Sequence, residues 1–370
     1  MKIRTLIERF ERFAPQTIAE PKDPVGLQLG SLDADFHKVL VSLDVRPEVV
    51  DEAVAVGADF IFAHHPMMFH PARNLDLSDP QNQMYATLLQ HHITVYAAHT
   101  NLDSANGGMN DWLASALGLS NTIGMVDGVR ETTYLLTTHI QSVYADAVRL
   151  AMVGAGAGNI DHFSGASFEW SGTTWFTPLQ GADPKLGAVG ERNHQEELSL
   201  QTQVPASKLQ AVIQAITEVY PGGQPAIELT QLANSGQQFA MGRIGDLPNT
   251  MTVREFAEHC KQVFHVKGLR VVADDMNKPV QRIAVLGGDG GKFFKIAQRK
   301  GADAYVTGDV YYHTGHDMIA AHFPVIDPGH HIESICKPQL TALFQQWQKQ
   351  NDWQFEIQPS TLNTDPFTFI

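Results

Sequence analysis

The chain has 370 residues, 43% hydrophobic and 18% charged, and its 26 basic against 40 acidic side chains leave a formal charge of −14. That acidic excess argues against general binding to nucleic acid or to anionic membranes, and no apolar run approaches the roughly 18 residues of a membrane span. The length points to about two domains of roughly 100–200 residues, each able to bury its own core without a staple.

The first predicted element is an amphipathic helix in MKIRTLIERFERFAP, where Ile3, Leu6, Ile7, Phe10 and Phe13 recur at helical spacing. It has neither the apolar stretch nor the cleavage site of a signal peptide, so a cytoplasmic location is expected. Residues 38–66 read as strand (KVLVSLDV), helix (RPEVVDEAVAVGA) and strand (DFIFAHHP), and a helical stretch then leads to a third strand in HITVYAAHTNLD. Between about 131 and 232 the pattern changes to short alternating strands and two helices. YLLTTHI is strand-like, SVYADAVRLAMVGAG helical, SFEWSGTTWFTPL hairpin-like, ELSLQTQVP strand-like, SKLQAVIQAITEVYP helical and AIELTQL strand-like. This order suits a ferredoxin-like α+β domain with glycine-rich loops at GAGAG and QGADPKLGAVGE. A boundary is expected near GRIGDLPNTMTVREF, where Pro248 and Asn249 precede a helix capped by Thr250 or Thr252.

The opening plan then returns. RIAVLGGDGGKFFKIAQRKGADAYVTGDV aligns with the earlier unit at an ungapped offset of 244 residues, which places Val285 on Val41 and Gly301-Ala302-Asp303 on Gly57-Ala58-Asp59. HFPVIDPGHHIE supplies its third strand. The fold class expected is α/β: two similar α/β lobes, 1–130 and 233–370, forming one core, with a ferredoxin-like domain, 131–232, inserted between them. Cys260 and Cys336, the two cysteines, lie in apolar helical contexts and read as buried thiols.

Histidine is abundant, at 17 residues, and the chemistry follows it. Three predicted strands end in metal-competent side chains: His64 and His65 after FIFA, His99 and Asp103 after VYAA, and His330, His331 and Glu333 after VID. Ligands of open α/β sheets bind beyond the carboxyl ends of strands, so the three tips can meet in one crevice. Pro66 imposes an extended exit on the histidine pair, and neighbours on a strand point to opposite sides, so each histidine can serve a different ion. His330 and Glu333, three residues apart where a helix begins after Gly329, face the same way. The plainer readings are a surface and a core histidine for the pair, an Asx turn for Asp103 and a helix cap for Glu333. Together, three or four nitrogens and two carboxylates exceed one tetrahedral zinc and suit two bridged divalent ions, Zn, Mn, Fe or Co. Such a pair favours hydrolysis, with His99, His313, His316 and His331 as candidate proton carriers or supporting donors.

Other segments carry weaker signals. GGDGGK, residues 287–292, could cradle a phosphate at a helix N-terminus but is neither a Walker loop nor G-x-G-x-x-G. Asp309 either lines the cleft or caps a helix. His91 and His92 read as a helix end, and Met67-Met68-Phe69 as packing.

DPVGLQLG (residues 23–30), SLDV, GADFIFAHHP, HTNLD, GRIGDLP, GADAYVTGDV with YYH, and DPGHHIE, in this order, resemble the GTP cyclohydrolase 1 type 2 homologue family, also called the Nif-three-like dinuclear metal centre family. The resemblance implies two similar lobes with a two-metal site between them, ligands at His64, His65, Asp103, His330 and Glu333, and a toroid-like hexamer. His330, directly after Gly329, matches the family's ligand better than His331. Residues 131–232 are similar in placement to the PII-like (CutA-like) domain of longer members. The family name implies hydrolytic opening of the guanine imidazole ring of GTP with release of formate, for which His99 or His331 would assist proton transfer. The alternative is a metal-binding regulatory or scaffold protein whose insert binds an effector or a protein partner.

Overall fold

The computed structural model describes residues 1–160, 162–181, 188–221, 224–233 and 236–370. They form two compact units, Met1–Val129 with Phe239–Ile370, and Arg130–Gln238.

The first unit contains two sheets. One is ordered β1 (Gly26–Leu29), β4 (Thr94–Ala97), β3 (Phe60–Ala63), β2 (Lys38–Ser42) and β15 (Glu356–Pro359). All its neighbours run parallel except β1, which is antiparallel to β4. The other is ordered β11 (Arg270–Val272), β14 (Val325–Asp327), β13 (Ala304–Gly308), β12 (Pro279–Asp289), β10 (Gln238–Thr252) and β5 (Ser120–Arg130). Within it β12, β13 and β14 are parallel, and β11 is antiparallel to β14. Every residue of β3, β4, β13 and β14 is buried, as strands covered on both faces require. Val41, Phe62 and Tyr96 meet Val285, Val306 and Ile326 in one core, which also takes in Phe10 of the first helix and Trp347 of the last. The alternate residues Leu40, Ile61 and Val95 pack under helices Pro47–Val56 and Pro80–Gln90.

The two sheets share a register. Val39, Leu40 and Val41 oppose Phe60, Ile61 and Phe62, while Ile283, Ala284 and Val285 oppose Ala304, Tyr305 and Val306, so 283 − 39 = 304 − 60 = 244. Third strands match at a different offset: Val95 opposes Ile61 and Val325 opposes Tyr305, giving 325 − 95 = 230. The repeated Gly-Ala-Asp has a structural cause. Gly57 and Gly301 end a helix in the left-handed region, at φ 68° and 84°, where a side chain is strained. Asp59 then accepts the N–H groups of His37 and Lys38 at 2.5 and 3.2 Å, and Asp303 those of Gln281 and Arg282 at 2.9 and 2.8 Å. Each carboxylate thereby fastens the start of the first strand of its set.

GRIGDLPNTMT does not break the chain at Pro248. The segment lies inside β10, whose pairing with β12 shifts register between Asp246 and Met251, which accommodates a residue without an N–H. Thr252 then caps the next helix in a capping box with Glu255. Cys260 and Cys336 are both buried and free. Among the described residues no helix is long and apolar enough to cross a membrane.

The second unit is an antiparallel sheet ordered β7 (Ser167–Phe176), β8 (Asn193–Pro205), β6 (Thr133–Ile140) and β9 (Ile227–Gln231). Helices Ser142–Gly154 and Leu209–Val219 pack Val148, Met152, Val212 and Ile216 against Leu136, Leu200 and Val204. GAGAG ends the first of these helices, with Gly156 and Gly158 at positive φ. Residues 182–187 of the other glycine-rich stretch lie outside the described residues.

Candidate metal centre

The side chains singled out from sequence gather at the carboxyl ends of the parallel strands of the first unit. His64 and His65 follow β3 directly. Asp103 stands on the single-turn helix Thr100–Ser104 after β4, and Glu333 on the 3₁₀ turn His330–Ile335 after β14. These two carboxylates occupy corresponding places, since 333 − 103 equals the 230-residue offset of the strands that carry them. His64, Asp103 and Glu333 are buried. Glu333 Oε2 lies 3.1 Å from His65 Nε2, 3.1 Å from His330 Nε2 and 3.6 Å from His64 Nε2, and Asp103 Oδ1 lies 3.6 Å from that last nitrogen. Three overlapping groups result: His64, His65 and His99; His65, His330 and Glu333; His64, Asp103 and Glu333.

Each imidazole is held from behind. Nδ1 of His64 meets the carbonyl of Ala98 at 2.7 Å, that of His65 meets Asp44 Oδ1 at 2.7 Å, that of His99 meets Asp23 Oδ1 at 2.8 Å, and that of His330 meets Asp309 Oδ2 at 2.8 Å. A carbonyl or a carboxylate only accepts, so Nδ1–H donates in every case, and Nε2 is left for the cluster: in His65 and His330 it lies within hydrogen-bond reach of Glu333. His64 Nε2 and Asp103 Oδ1 are buried without any hydrogen-bond partner. Acceptors turned on acceptors in a dry pocket repel unless a cation lies between them, so this donor set fits divalent ions.

The electrostatics show the same tension. Burial pulls His64 down to about 4. It opposes protonation of His65 and His330 too, yet hydrogen bonds to Asp44 and Glu333 push His65 up to about 10, and Glu333 with Asp309 pushes His330 up to about 9. Burial and the charge of Glu333 hold Asp103 well above the usual carboxylate range. Glu333 stays well below that range because the surrounding histidines outweigh its burial.

Not every candidate joins the cluster. His331 belongs to none of the three groups and lines a separate cavity of about 300 Å³, which shares His65 and His330 with the main cleft of about 680 Å³. His313 and His316 lie on helix Tyr312–Ala320 beside Tyr312, also outside the groups. His91 and His92 are exposed at a helix end, with His92 in the left-handed region. Met67 is core, but Phe69 is 61% exposed and stands at the mouth of the main cleft. The pair Gly287-Gly288 answers to Glu333: a Cβ on Gly287 would lie 2.6 Å from Glu333 Oε1. Asp23 and Asp44 were not singled out from the sequence, although both sit in the DPVGLQLG and SLDV motifs. Their signal was an acidic residue in a motif that otherwise lacked a role.

The Duf34/NIF3 (NGG1p interacting factor 3) family model matches residues 1–366. The chain is 39% identical over 367 residues to the GTP cyclohydrolase 1 type 2 homolog of Halalkalibacterium halodurans, covering 99% of this chain and 98% of that one. It is also 39% identical over 365 residues to the protein of the same name from Bacillus subtilis, with 99% and 98% covered. Among solved structures, a Bacillus cereus protein related to NIF3 superposes with a TM-score of 0.95 at 38% identity, covering 100% of this chain and 99% of that one. Staphylococcus aureus SA1388 gives a TM-score of 0.79 at 28% identity, with 100% and 99% covered.

Proposed function

The chain belongs to the Duf34/NIF3 family, and from that premise we propose that it is a hydrolase with a dinuclear metal centre. One divalent ion would be held by His64, Asp103 and Glu333 and the other by His65, His330 and Glu333, so that both would share Glu333. The observation that carries this reading is the set of three imidazoles, His64, His65 and His330, each with Nδ1 occupied, whose Nε2 atoms converge on two buried carboxylates. Two such ions supply a nucleophile from water at neutral pH and charge to polarise the bond under attack. His99, which Asp23 and the Thr100 turn hold in place, presents Nε2 to the same space and carries the proton to the leaving group. His331, the other candidate for that role, lines the second cavity. Phe69 and Phe293 give the cleft an aromatic wall for a flat heterocycle, and Lys292 stands at its edge for an anionic group.

The substrate read from the name of the relatives is GTP, opened hydrolytically at its imidazole ring with loss of formate. In this reading the two sheets are duplicated lobes of one core, and Arg130–Gln238, ordered 2-3-1-4 in its own strands, is a ferredoxin-like insert of the PII/CutA type. The protein works in the cytoplasm as a homo-oligomer, a hexamer. A regulatory or scaffold role is the second reading, favoured by a unit that has its own core and, among its described residues, supplies none of the clustered side chains.

The test is metal content per chain, by mass spectrometry, of untagged wild type and Asp103→Ala, followed by formate release from GTP on the same samples. About two ions in wild type, falling to one or none in the variant, with metal-dependent formate, is the expected result. Two ions without formate keep the centre and remove that substrate. No bound ion in folded, reconstituted protein removes the centre as well.

A further inference from the structure

After β15 the chain continues through residues 360–370 without regular secondary structure, tied at successive residues to the first sheet and to the helices beside it. Ser360 N donates to Val41 O at 2.8 Å, Thr361 N and Oγ1 donate to Glu52 Oε1 at 2.9 and 2.8 Å, and Lys337 Nζ donates to Leu362 O at 2.8 Å. Thr364, itself buried, donates its hydroxyl to Asp44 Oδ2. The other oxygen of that carboxylate, Oδ1, holds His65 Nδ1. Asp44 is therefore divided between the tail and the cluster.

A carboxylate engaged at both oxygens is not free to turn about its Cβ–Cγ bond, and the imidazole it holds keeps one direction. His65 needs that restraint more than its neighbour does. His64 is wholly buried and anchored on a backbone carbonyl, whereas the His65 side chain is 21% exposed and stands between the two cavities. We infer that the C-terminal segment is a working part of the metal centre, with Thr364 as a positioning residue that sets His65 through Asp44. This rests on the reading of the cluster as a metal site, and any displacement of the tail is transmitted to one histidine and not to the whole cluster.

The test uses full-length protein with its tag removed and cobalt(II) as the probe, followed by visible absorption and by chelator competition. Thr364→Val keeps the shape and deletes the hydroxyl; Thr364→Ser restores it. Thr361→Val removes a tail hydroxyl that does not touch Asp44. The expected result is cobalt binding weakened on the order of tenfold for at least one ion in Thr364→Val, with an altered spectrum, recovery in Thr364→Ser and no change in Thr361→Val. Equal behaviour of wild type and Thr364→Val, or equal loss in both valine variants, overturns the positioning role and leaves the metal site standing. Failure of wild type to bind cobalt overturns the metal reading and this inference with it. Should Thr364→Val not fold, as judged by circular dichroism, Thr364→Ala, which deletes the hydroxyl with less bulk, carries the test. Unchanged cobalt binding there overturns the proposal too.

Discussion

The tips of β3 and β13 occupy corresponding places, 308 − 64 = 309 − 65 = 244, yet one carries His64 and His65 and the other Gly308 and Asp309. The first tip delivers imidazoles to the cluster. The second clears a path: a Cβ on Gly308 would lie 2.8 Å from the backbone N of His330, so the turn bearing His330 and Glu333 comes this close only over a glycine. Asp309, in the left-handed region at φ 53°, then holds His330 from behind. At the third strands the correspondence is chemical as well as spatial, with Asp103 in one set and Glu333 in the other. The cluster thus takes its carboxylates from equivalent positions and its imidazoles from inequivalent ones. Equivalent placement has not produced equivalent surroundings, because Glu333 faces three imidazoles and Asp103 one.

That inequality predicts the largest effect. Glu333→Ala should abolish binding of both ions, whereas Asp103→Ala should retain the one held by His65 and His330 at reduced affinity; metal content after dialysis separates the two. Equal losses would mean that the carboxylates are interchangeable and that the bridging role of Glu333 is wrong. Next comes Gly308→Ala, expected to destabilise the metal-free protein by about 1–3 kcal/mol through overpacking and to displace His330. Urea unfolding with and without cobalt checks this, and an unaffected protein would show that the approach of the two segments is not tight. Asp309→Ala should be milder, weakening metal on the order of tenfold by releasing the ring of His330 without altering the fold. Isothermal titration with zinc gives the comparison, and unchanged affinity would confine Asp309 to a loop role.

Much of this was legible in the sequence because it is written in local spacing. The offset of 244 residues, the apolar strands and the metal-competent tips each occupy a few consecutive residues, and the strand-tip rule brings the tips together. The supports were hidden because they act across the chain: Asp23 and His99 are 76 residues apart, and Asp44 and His65 are 21 apart. GGDGGK was open to a phosphate reading because a glycine pair after a strand looks the same whether the backbone makes room for an oxyanion or for Glu333. Pro248 marked a boundary by local rules, but the β10–β12 ladder continues on both sides of it.

The smallest effect bears on a feature the two sheets share at the starts of their strands. Asp59 and Asp303 each accept two backbone N–H groups at the start of a strand, far from the cluster and with no part in its chemistry. Removing such a carboxylate leaves the N–H groups to water, because both sites are partly exposed, so the cost should be about 1 kcal/mol for either alanine variant. Metal content should be unchanged in both. Urea denaturation of Asp59→Ala, Asp303→Ala and the double variant measures the individual costs and their sum. Equal, additive losses would show that the two sheets use the same stabilising device although their tips differ. A cost confined to one of them would place the difference in the scaffold as well as at the tips, and the likeness of the two sheets would then rest on their register and not on this device.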